Sequence, residues 1–341
     1  MATTFKAWAA LNAKEKLQLY EYTPEPLADD QIEVKVTHNG LCHSDIHMKD
    51  NDWGNSSYPF IPGHEVIGNV VALGANAEKL SGLKIGDRVG YGWIRDSCGF
   101  CESCIEGQEN LCYKGYEGTI VGHHGGFQNR IRMPAKFAFK IPEKLESQYA
   151  GPLMCAGATV YNPLRLFIDR PNVKVGIIGI GGLGHLAVQF ASKMGFEVTA
   201  LSTSFNKKEE AMGFGCTNFV LLKEASEKVP NYFDLIINTS PYDMDWNMLL
   251  GLLRPNGKLC LIGIPAVDMK VPVMPIIFSQ KTICGSIVAG RKFTNEMLEF
   301  AALNGVKPKI ELMKLSQCNE AMEKVLANKA RYRIVLETDF E

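Results

Sequence analysis

The chain has 341 residues, 46% of them hydrophobic and 21% charged, a composition that excludes intrinsic disorder and a fibrous repeat and suits two domains at about 150 residues each. Thirty-six Lys and Arg against 37 Asp and Glu leave a formal charge of −1, so no overall positive field draws the chain to nucleic acid or to an anionic membrane. No apolar run reaches the roughly 18 residues that cross a bilayer, and Lys6, Lys14, Glu15 and Lys16 interrupt any amino-terminal leader, so the expectation is a cytoplasmic protein whose ten cysteines serve metal rather than disulfides.

In chain order, the residues up to about 150 read as short strands between Gly, Pro and Asn turns: FKAWAAL, LQLYEY, QIEVKVTHNG, HEVIGNVVALG, GDRVGYG and FQNRIRM. This predicts a β-rich segment with long loops. From about residue 153 apolar runs alternate with helical stretches: VKVGIIGI, helical HLAVQFASKMG, EVTALSTS, helical KKEEAMGFG, NFVLL and FDLIINTS. A helical DWNMLLGLLRPNG, then KLCLIGIP and TICGSIV, continue the alternation, which predicts an α/β unit with a doubly wound parallel sheet covered by helices on both faces. Two amphipathic helices, NEMLEFAALNG and QCNEAMEKVLANK, and a strand, YRIVLET, complete the chain without any fixed-period repeat.

Three constellations carry chemistry. Cys98, Cys101, Cys104 and Cys112 share one short loop, DSCGFCESCIEGQENLC. Four thiolates at that spacing meet the tetrahedral preference of a structural Zn²⁺ and leave no position for a substrate; the alternative is two disulfides or four free thiols. The second set is dispersed: Cys42 in GLCHSDIH, His64 and Glu65 in IPGHEVIG, and Cys155 in LMCAGATV. Two cysteines and one histidine are a known set for a catalytic zinc with an open position, and Ser44, Asp45 and His47 beside Cys42 supply the donors and acceptors a substrate oxygen would use. Each of these residues taken singly also reads as a structural one.

The third is GIGGLG, residues Gly179, Ile180, Gly181, Gly182, Leu183 and Gly184, between an apolar strand and a helix, which is the context of a dinucleotide fingerprint rather than an ordinary Gly-rich turn. An NAD site places Asp or Glu at the end of the next strand, about 20 residues on. Here stand Ser202, Thr203, Ser204, Lys207 and Lys208, whose hydroxyls and amines favour a 2′-phosphate, so NADP(H) is expected, against the reading of two solvated lysines in a turn. Cys216, Cys260, Cys284 and Cys318 match no motif and read as core residues, and His123 and His124 as loop residues. His43, Trp53 and Trp93 are open between a pocket and the core.

Taken together, GLCHSDIH, GHEVIG, the four-cysteine loop, LMCAGATV and GIGGLG resemble the zinc-dependent medium-chain alcohol dehydrogenases over essentially the whole chain, and STSFNKKEEA with GSIVAGRKFTNEMLEFAA resembles the NADP-dependent cinnamyl alcohol dehydrogenase branch. The resemblance implies a GroES-like catalytic domain over residues 1–156 carrying both zinc sites, a Rossmann NADP-binding domain over 157–288, a segment 289–341 returning to the first domain, and an active site in the cleft between them. It implies Cys42, His64 and Cys155 as ligands of the catalytic zinc with Glu65 as alternative fourth ligand, Asp45 orienting His64, Ser44 and His47 relaying a proton, and Thr159, Thr239, Gly263, Ser286, Ile287 and Val288 touching the cofactor. It further implies a homodimer that transfers hydride between NADP(H) and a primary alcohol or aldehyde, aromatic or allylic. Ala289, Gly290 and Arg291 depart from the branch, which continues there with a second Gly-Ser or Gly-Thr pair. The competing expectations are an NAD-dependent polyol or secondary-alcohol dehydrogenase and a zinc-stabilised binding protein without catalysis.

Overall fold

Residues 4–265 and 267–340 are described by a computed structural model, in which the chain forms two units. Met1–Cys155, Ala289–Leu303 and Lys307–Glu341 make up the first, and Ala156–Val288 with Asn304–Val306 the second.

The first unit is organised by the strand Gln31–Leu41, in which Ile32, Val34 and Val36 recur at every second position and are all buried. It lies within a seven-stranded sheet in the order Ile310–Lys314, Arg333–Glu337, Gln31–Leu41, Glu65–Leu73, Arg88–Tyr91 and Phe139–Lys140, with Arg130–Pro134 also paired to Gln31–Leu41. One end of this sheet decides where chemistry can occur. Gly40 lies opposite Glu65, and Leu41 opposite Ile334, so the residues that leave or enter those strands, Cys42, His64 and Arg333, are delivered to one corner. Leu41, Ile46, Phe127, Leu315, Met322 and Ile334 pack into a common core behind it. Each fully buried side chain of this size contributes roughly 1.5–3 kcal/mol, so the corner rests on a rigid base.

Two elements of this unit were not among the expected ones. GLCHSDIH is not a loop: His43–Asp50 is a helix that starts directly after Cys42, with Asp45 in its first turn, where a carboxylate suits the exposed N–H groups. The strand Ile310–Lys314 has no alternation of buried and exposed residues to announce it, and it pairs in parallel with Arg333–Glu337.

The second unit holds the expected parallel sheet, with six strands in the order Asn218–Leu221, Glu197–Ser202, Lys174–Ile178, Phe233–Asn238, Leu253–Leu261 and Thr282–Gly285. The order reverses between Lys174–Ile178 and Phe233–Asn238, and a crevice at the carboxyl ends of strands at such a switch point is where α/β sheets take ligands. Phe233, Ile236, Trp246, Leu249, Leu253 and Leu259 build the core on one face. The helical reading of DWNMLLGLLRPNG holds only for Trp246–Leu252, capped by Asp245 whose side chain accepts from the Met248 amide at 2.9 Å. The chain is already extended at Leu253, opposite Phe233, and Asn256 at φ 62° follows Pro255 in a turn no helix tolerates. Among the described residues no helix is long and apolar enough to cross a membrane.

Candidate functional site

At the sheet corner, one ligand atom each from Cys42, His64, Glu65 and Cys155 lie within 4.8 Å of one another. Cys155 arrives from a π-helical turn, Leu153–Gly157, that follows the helix Ser147–Pro152; such wide turns recur at functional sites because they turn a side chain out of helical register. Asp45 fixes the rest. Its Oδ1 accepts from His64 Nδ1 at 2.8 Å and from the Gly63 amide at 2.9 Å, while Oδ2 accepts from the Cys42 amide at 3.0 Å. The His64 tautomer is thereby set, and Nε2 faces the two sulfurs.

His64 Nε2 and Glu65 Oε2 are fully buried without a hydrogen-bond partner. Orphaned polar atoms of this kind are costly unless something binds them. Burial opposes a charge on His64, but the Asp45 carboxylate and the Cys42 sulfur hold its pKa well above the ordinary value. The Cys155 thiol donates to Cys42, which depresses the Cys42 thiol and raises that of Cys155. Burial pushes the Glu65 carboxyl up to about 7 against the pull of the buried Arg333 guanidinium bonded to its Oε1. Two thiols sharing a proton, an imidazole with a free nitrogen and a carboxylate at its margin form a donor set that fits Zn²⁺.

The four-cysteine loop is equally explicit. All four cysteines are free, with Sγ atoms 3.9 Å apart for Cys98 and Cys104 and 4.0 Å for Cys101 and Cys112, far beyond a disulfide bond. A tetrahedron of Zn–S bonds of about 2.3 Å has edges of about 3.8 Å, so the sulfurs already stand at metal-binding separation. Backbone amides hold the thiols of Cys98, Cys101 and Cys112 below their usual range, while burial raises that of Cys104 to about 11. The four sulfurs thus stand as free thiols at metal-binding separation and not as two disulfides.

In the second unit, Gly179 follows the strand Lys174–Ile178 with φ 85°, a conformation that side chains resist. A Cβ on Gly184 would meet the Gly179 carbonyl at 1.8 Å, whereas one on Gly181 would meet nothing within 4 Å. The first contact is packing between helix and strand; the second leaves open space over the loop, as a pyrophosphate requires. Ile180 is buried, and Gly182 and Leu183 are half-buried before the helix Gly184–Lys193. Thr239 donates to the carbonyls of Ile178 at 2.8 Å and Gly179 at 2.9 Å, and the Gly263 amide to that of Asn238 at 3.0 Å, so both lie at the switch point. Ser202 ends its strand with its side chain accepting from the Ser204 amide at 3.4 Å, and Lys207 reaches back to donate to the Ile180 carbonyl at 2.8 Å. Hydroxyl and amine thus converge beside the glycine loop, with Thr203 and Ser204 exposed.

Comparison with known proteins identifies this arrangement. Residues 28–143 match the alcohol dehydrogenase GroES-like domain family and residues 182–303 the zinc-binding dehydrogenase family. The aldehyde reductase AdhA of Synechocystis sp. is 40% identical over 333 residues, covering 97% of this chain and 98% of the relative. The chain belongs to the zinc-binding alcohol dehydrogenases. Among solved structures, a cinnamyl alcohol dehydrogenase from Sorghum bicolor superposes with a TM-score of 0.92 at 35% identity, covering 99% of both chains. One from Helicobacter pylori in complex with NADP(H) gives 0.89 at 31% identity, again over 99% of both.

Around this dehydrogenase's metal corner, several residues without a motif come into view. Arg333 reaches Glu65 across 268 positions, and Asp52 accepts from His47 Nδ1 at 2.8 Å. Ser44 is half-buried in the first turn of the same helix, two positions after Cys42. Trp93 stands edge-on to His64 at 5.0 Å and to Trp53 at 6.1 Å, and Trp53 stacks obliquely on His47 at 5.4 Å, so the two indoles wall the corner. His43 is exposed, 5.8 Å from His47. His123 pairs with Glu117 at 3.3 Å and His124 lies edge-on to Tyr22, and neither belongs to a metal set. In the second unit, Thr159 is half-buried, and buried Asn162, unread in the sequence, donates to Ser286 Oγ and to the Ile287 carbonyl, both at 3.0 Å, just before buried Val288. The departing Gly290 and Arg291 have a local use: the Arg291 amide and Nε donate to the buried Glu109 carboxylate at 2.8 and 2.6 Å, which ties the helix Arg291–Asn304 to the four-cysteine loop.

Proposed function

We propose that this alcohol dehydrogenase transfers hydride between NADP(H) and a primary aldehyde or alcohol of aromatic or allylic type, with one catalytic and one structural zinc per chain. The observation that carries the reading is the corner of Cys42, His64 and Cys155, with His64 Nε2 buried and unpartnered and its tautomer fixed by Asp45. Cys42, His64 and Cys155, with Glu65 in reserve, would hold the catalytic zinc, and the four-cysteine loop the structural one. The glycine loop with Thr159, Thr239, Gly263 and Ser286 to Val288 would hold the dinucleotide, and Ser202, Thr203, Ser204 and Lys207 its 2′-phosphate. When bound, the zinc supplies Lewis acidity toward a carbonyl oxygen and the nicotinamide supplies the hydride.

The chain's own residues do the remaining work. Ser44 hydrogen-bonds the substrate oxygen and passes it a proton as charge develops there, and His47 replenishes Ser44 from solvent. Asp52 accepts from His47 Nδ1 and so fixes the orientation of the ring in such a relay. The half-buried His47 reaches both solvent and its neighbours on the helix. Trp53 and Trp93 exclude water and offer flat apolar walls suited to a conjugated aldehyde.

The name of the Synechocystis aldehyde reductase supports reductive use, and the NADP(H) complex of the Helicobacter pylori enzyme supports that cofactor. We also assign a homodimer, supported by the exposed Val273, Met274, Ile277 and Phe278, an apolar patch that favours self-association, and a cytoplasmic location, where reduced thiols stay available for metal. The test is a side-by-side measurement of NADPH and NADH oxidation with cinnamaldehyde, using zinc-replete protein together with Cys42→Ala and His64→Ala. A strong NADPH preference and loss of turnover in both variants, with NADPH binding retained, are expected. Turnover surviving in both variants overturns the zinc role, and an NADH preference overturns the phosphate site.

A further inference from the structure

Outside the two metal sets, Cys260 and Cys284 stand in a relationship that the other cysteines do not share. They are direct partners in the parallel pairing of Leu253–Leu261 with Thr282–Gly285. Neighbouring strands run about 4.8 Å apart, which falls inside the roughly 4.4–6.8 Å between α-carbons that a disulfide spans. Their neighbours Leu259 and Ile283 pack into the core of one face, and side chains alternate along strands, so both thiols point to the opposite face, side by side.

The two sulfurs are unequal. Cys260 is fully buried; the neighbouring Cys284 thiol and burial together raise its pKa strongly. Cys284 is partly exposed on the edge strand and donates to the Leu259 carbonyl at 3.6 Å. The neighbouring Cys260 thiol, aided by the charge of Lys258, holds the Cys284 thiol below its usual range. A nucleophilic thiol within solvent's reach beside a protected second thiol is the arrangement of an attacking and a resolving cysteine.

We propose that Cys260 and Cys284 form a dithiol site that hydrogen peroxide oxidises reversibly to a disulfide, and that this oxidation weakens dinucleotide binding. The second part rests on the cofactor reading above. The Cys284 thiolate attacks one peroxide oxygen, the O–O bond breaks, and a sulfenic acid and hydroxide result. The Cys260 thiol then attacks that sulfur, releases water and leaves a disulfide, so two sulfurs lose two electrons and the peroxide gains them. The bond draws the sulfurs from non-bonded contact to about 2.05 Å. Cys284 lies two residues before Ser286, whose hydroxyl accepts from Asn162 at 3.0 Å, so the strand end that would meet the cofactor moves with it.

The experiment treats zinc-loaded enzyme with stoichiometric hydrogen peroxide, maps cross-linked peptides by mass spectrometry without reduction, and titrates NADPH by fluorescence before and after. A Cys260–Cys284 cross-link and an NADPH Kd raised roughly fivefold or more, both reversed by dithiothreitol, are expected. Cys260→Ser should stop at a sulfenic acid on Cys284 that dimedone traps, and Cys284→Ser should keep its Kd through the same treatment. A wild-type enzyme with Cys284 still reduced and no cross-link overturns the site. A cross-link with an unchanged Kd overturns the coupling. Reduced enzyme that does not bind NADPH at all counts instead against the cofactor reading, and the cross-link alone then decides for or against the dithiol.

Discussion

Asp45 is a single carboxylate that accepts from two separate segments of chain, the Cys42 amide on one side and the Gly63 amide and His64 ring on the other. It thereby sets both the separation of two candidate metal ligands and the tautomer of one. Asp45→Asn keeps the shape but turns an amide N–H₂ toward one of these donors, so one bond becomes a clash of hydrogens. Zinc affinity at the catalytic site should fall by about 10–100-fold, read as metal content after dialysis against a graded chelator, with the four-cysteine site keeping its metal. Equal loss at both sites would mean that the substitution unfolds the unit. Cys42 was legible from its polar neighbours Ser44, Asp45 and His47, and His64 and Cys155 from the resemblance that GHEVIG and LMCAGATV carry. Arg333 was not: it shares no motif with Glu65 and is brought there only by the pairing of Leu41 with Ile334.

Among the elements, the glycine loop separates packing from binding. Gly184 has no room for a side chain because the Gly179 carbonyl sits 1.8 Å from where its Cβ would stand, whereas Gly181 opens on empty space. Gly184→Val should therefore lower the melting temperature sharply. Gly181→Val should hold stability within about 0.5 kcal/mol while weakening NADPH binding at least tenfold, since the added methyls fill the space kept for pyrophosphate. Differential scanning fluorimetry with and without NADPH checks both; unchanged NADPH affinity in Gly181→Val would remove the loop from the cofactor site. Sequence made this loop legible because strand, glycines and helix adjoin in the chain. It misjudged DWNMLLGLLRPNG because the apolar spacing of a helix continues into residues that pair with Phe233, and only the turn at Asn256 marks the change. The strand Ile310–Lys314 was hidden for the opposite reason, since its half-exposed residues alternate too weakly to be read.

For the whole molecule, pH acts through histidines placed where charge is unwelcome. Burial lowers the pKa of His38, His123 and His124 below the ordinary 6.5. The unfolded chain then binds more protons than the folded one as pH falls below about 6.5, so their contribution is present above that value and is lost as pH drops through the folded-state pKa values. Carboxylates such as Asp87, held low by Lys140, act only at more acid pH. Melting temperature should decline between about pH 6.5 and 5, and His38→Asn with His124→Asn should flatten that decline. An undiminished slope in the double variant would assign the effect elsewhere.

The two zinc sets differ in the length of chain each one needs. The four cysteines of the structural loop fall between residues 98 and 112 and can gather as soon as that loop has left the ribosome. The other corner gathers Cys42, His64, Glu65 and Cys155, and it is flanked by Arg333 on the strand Arg333–Glu337, which lies between Gln31–Leu41 and Ile310–Lys314 and pairs its guanidinium with Glu65. Under the proposed zinc assignment, the four-cysteine set needs only one short loop, whereas the other set needs strands far apart in the chain, so the scaffold metal would be captured before the reactive one.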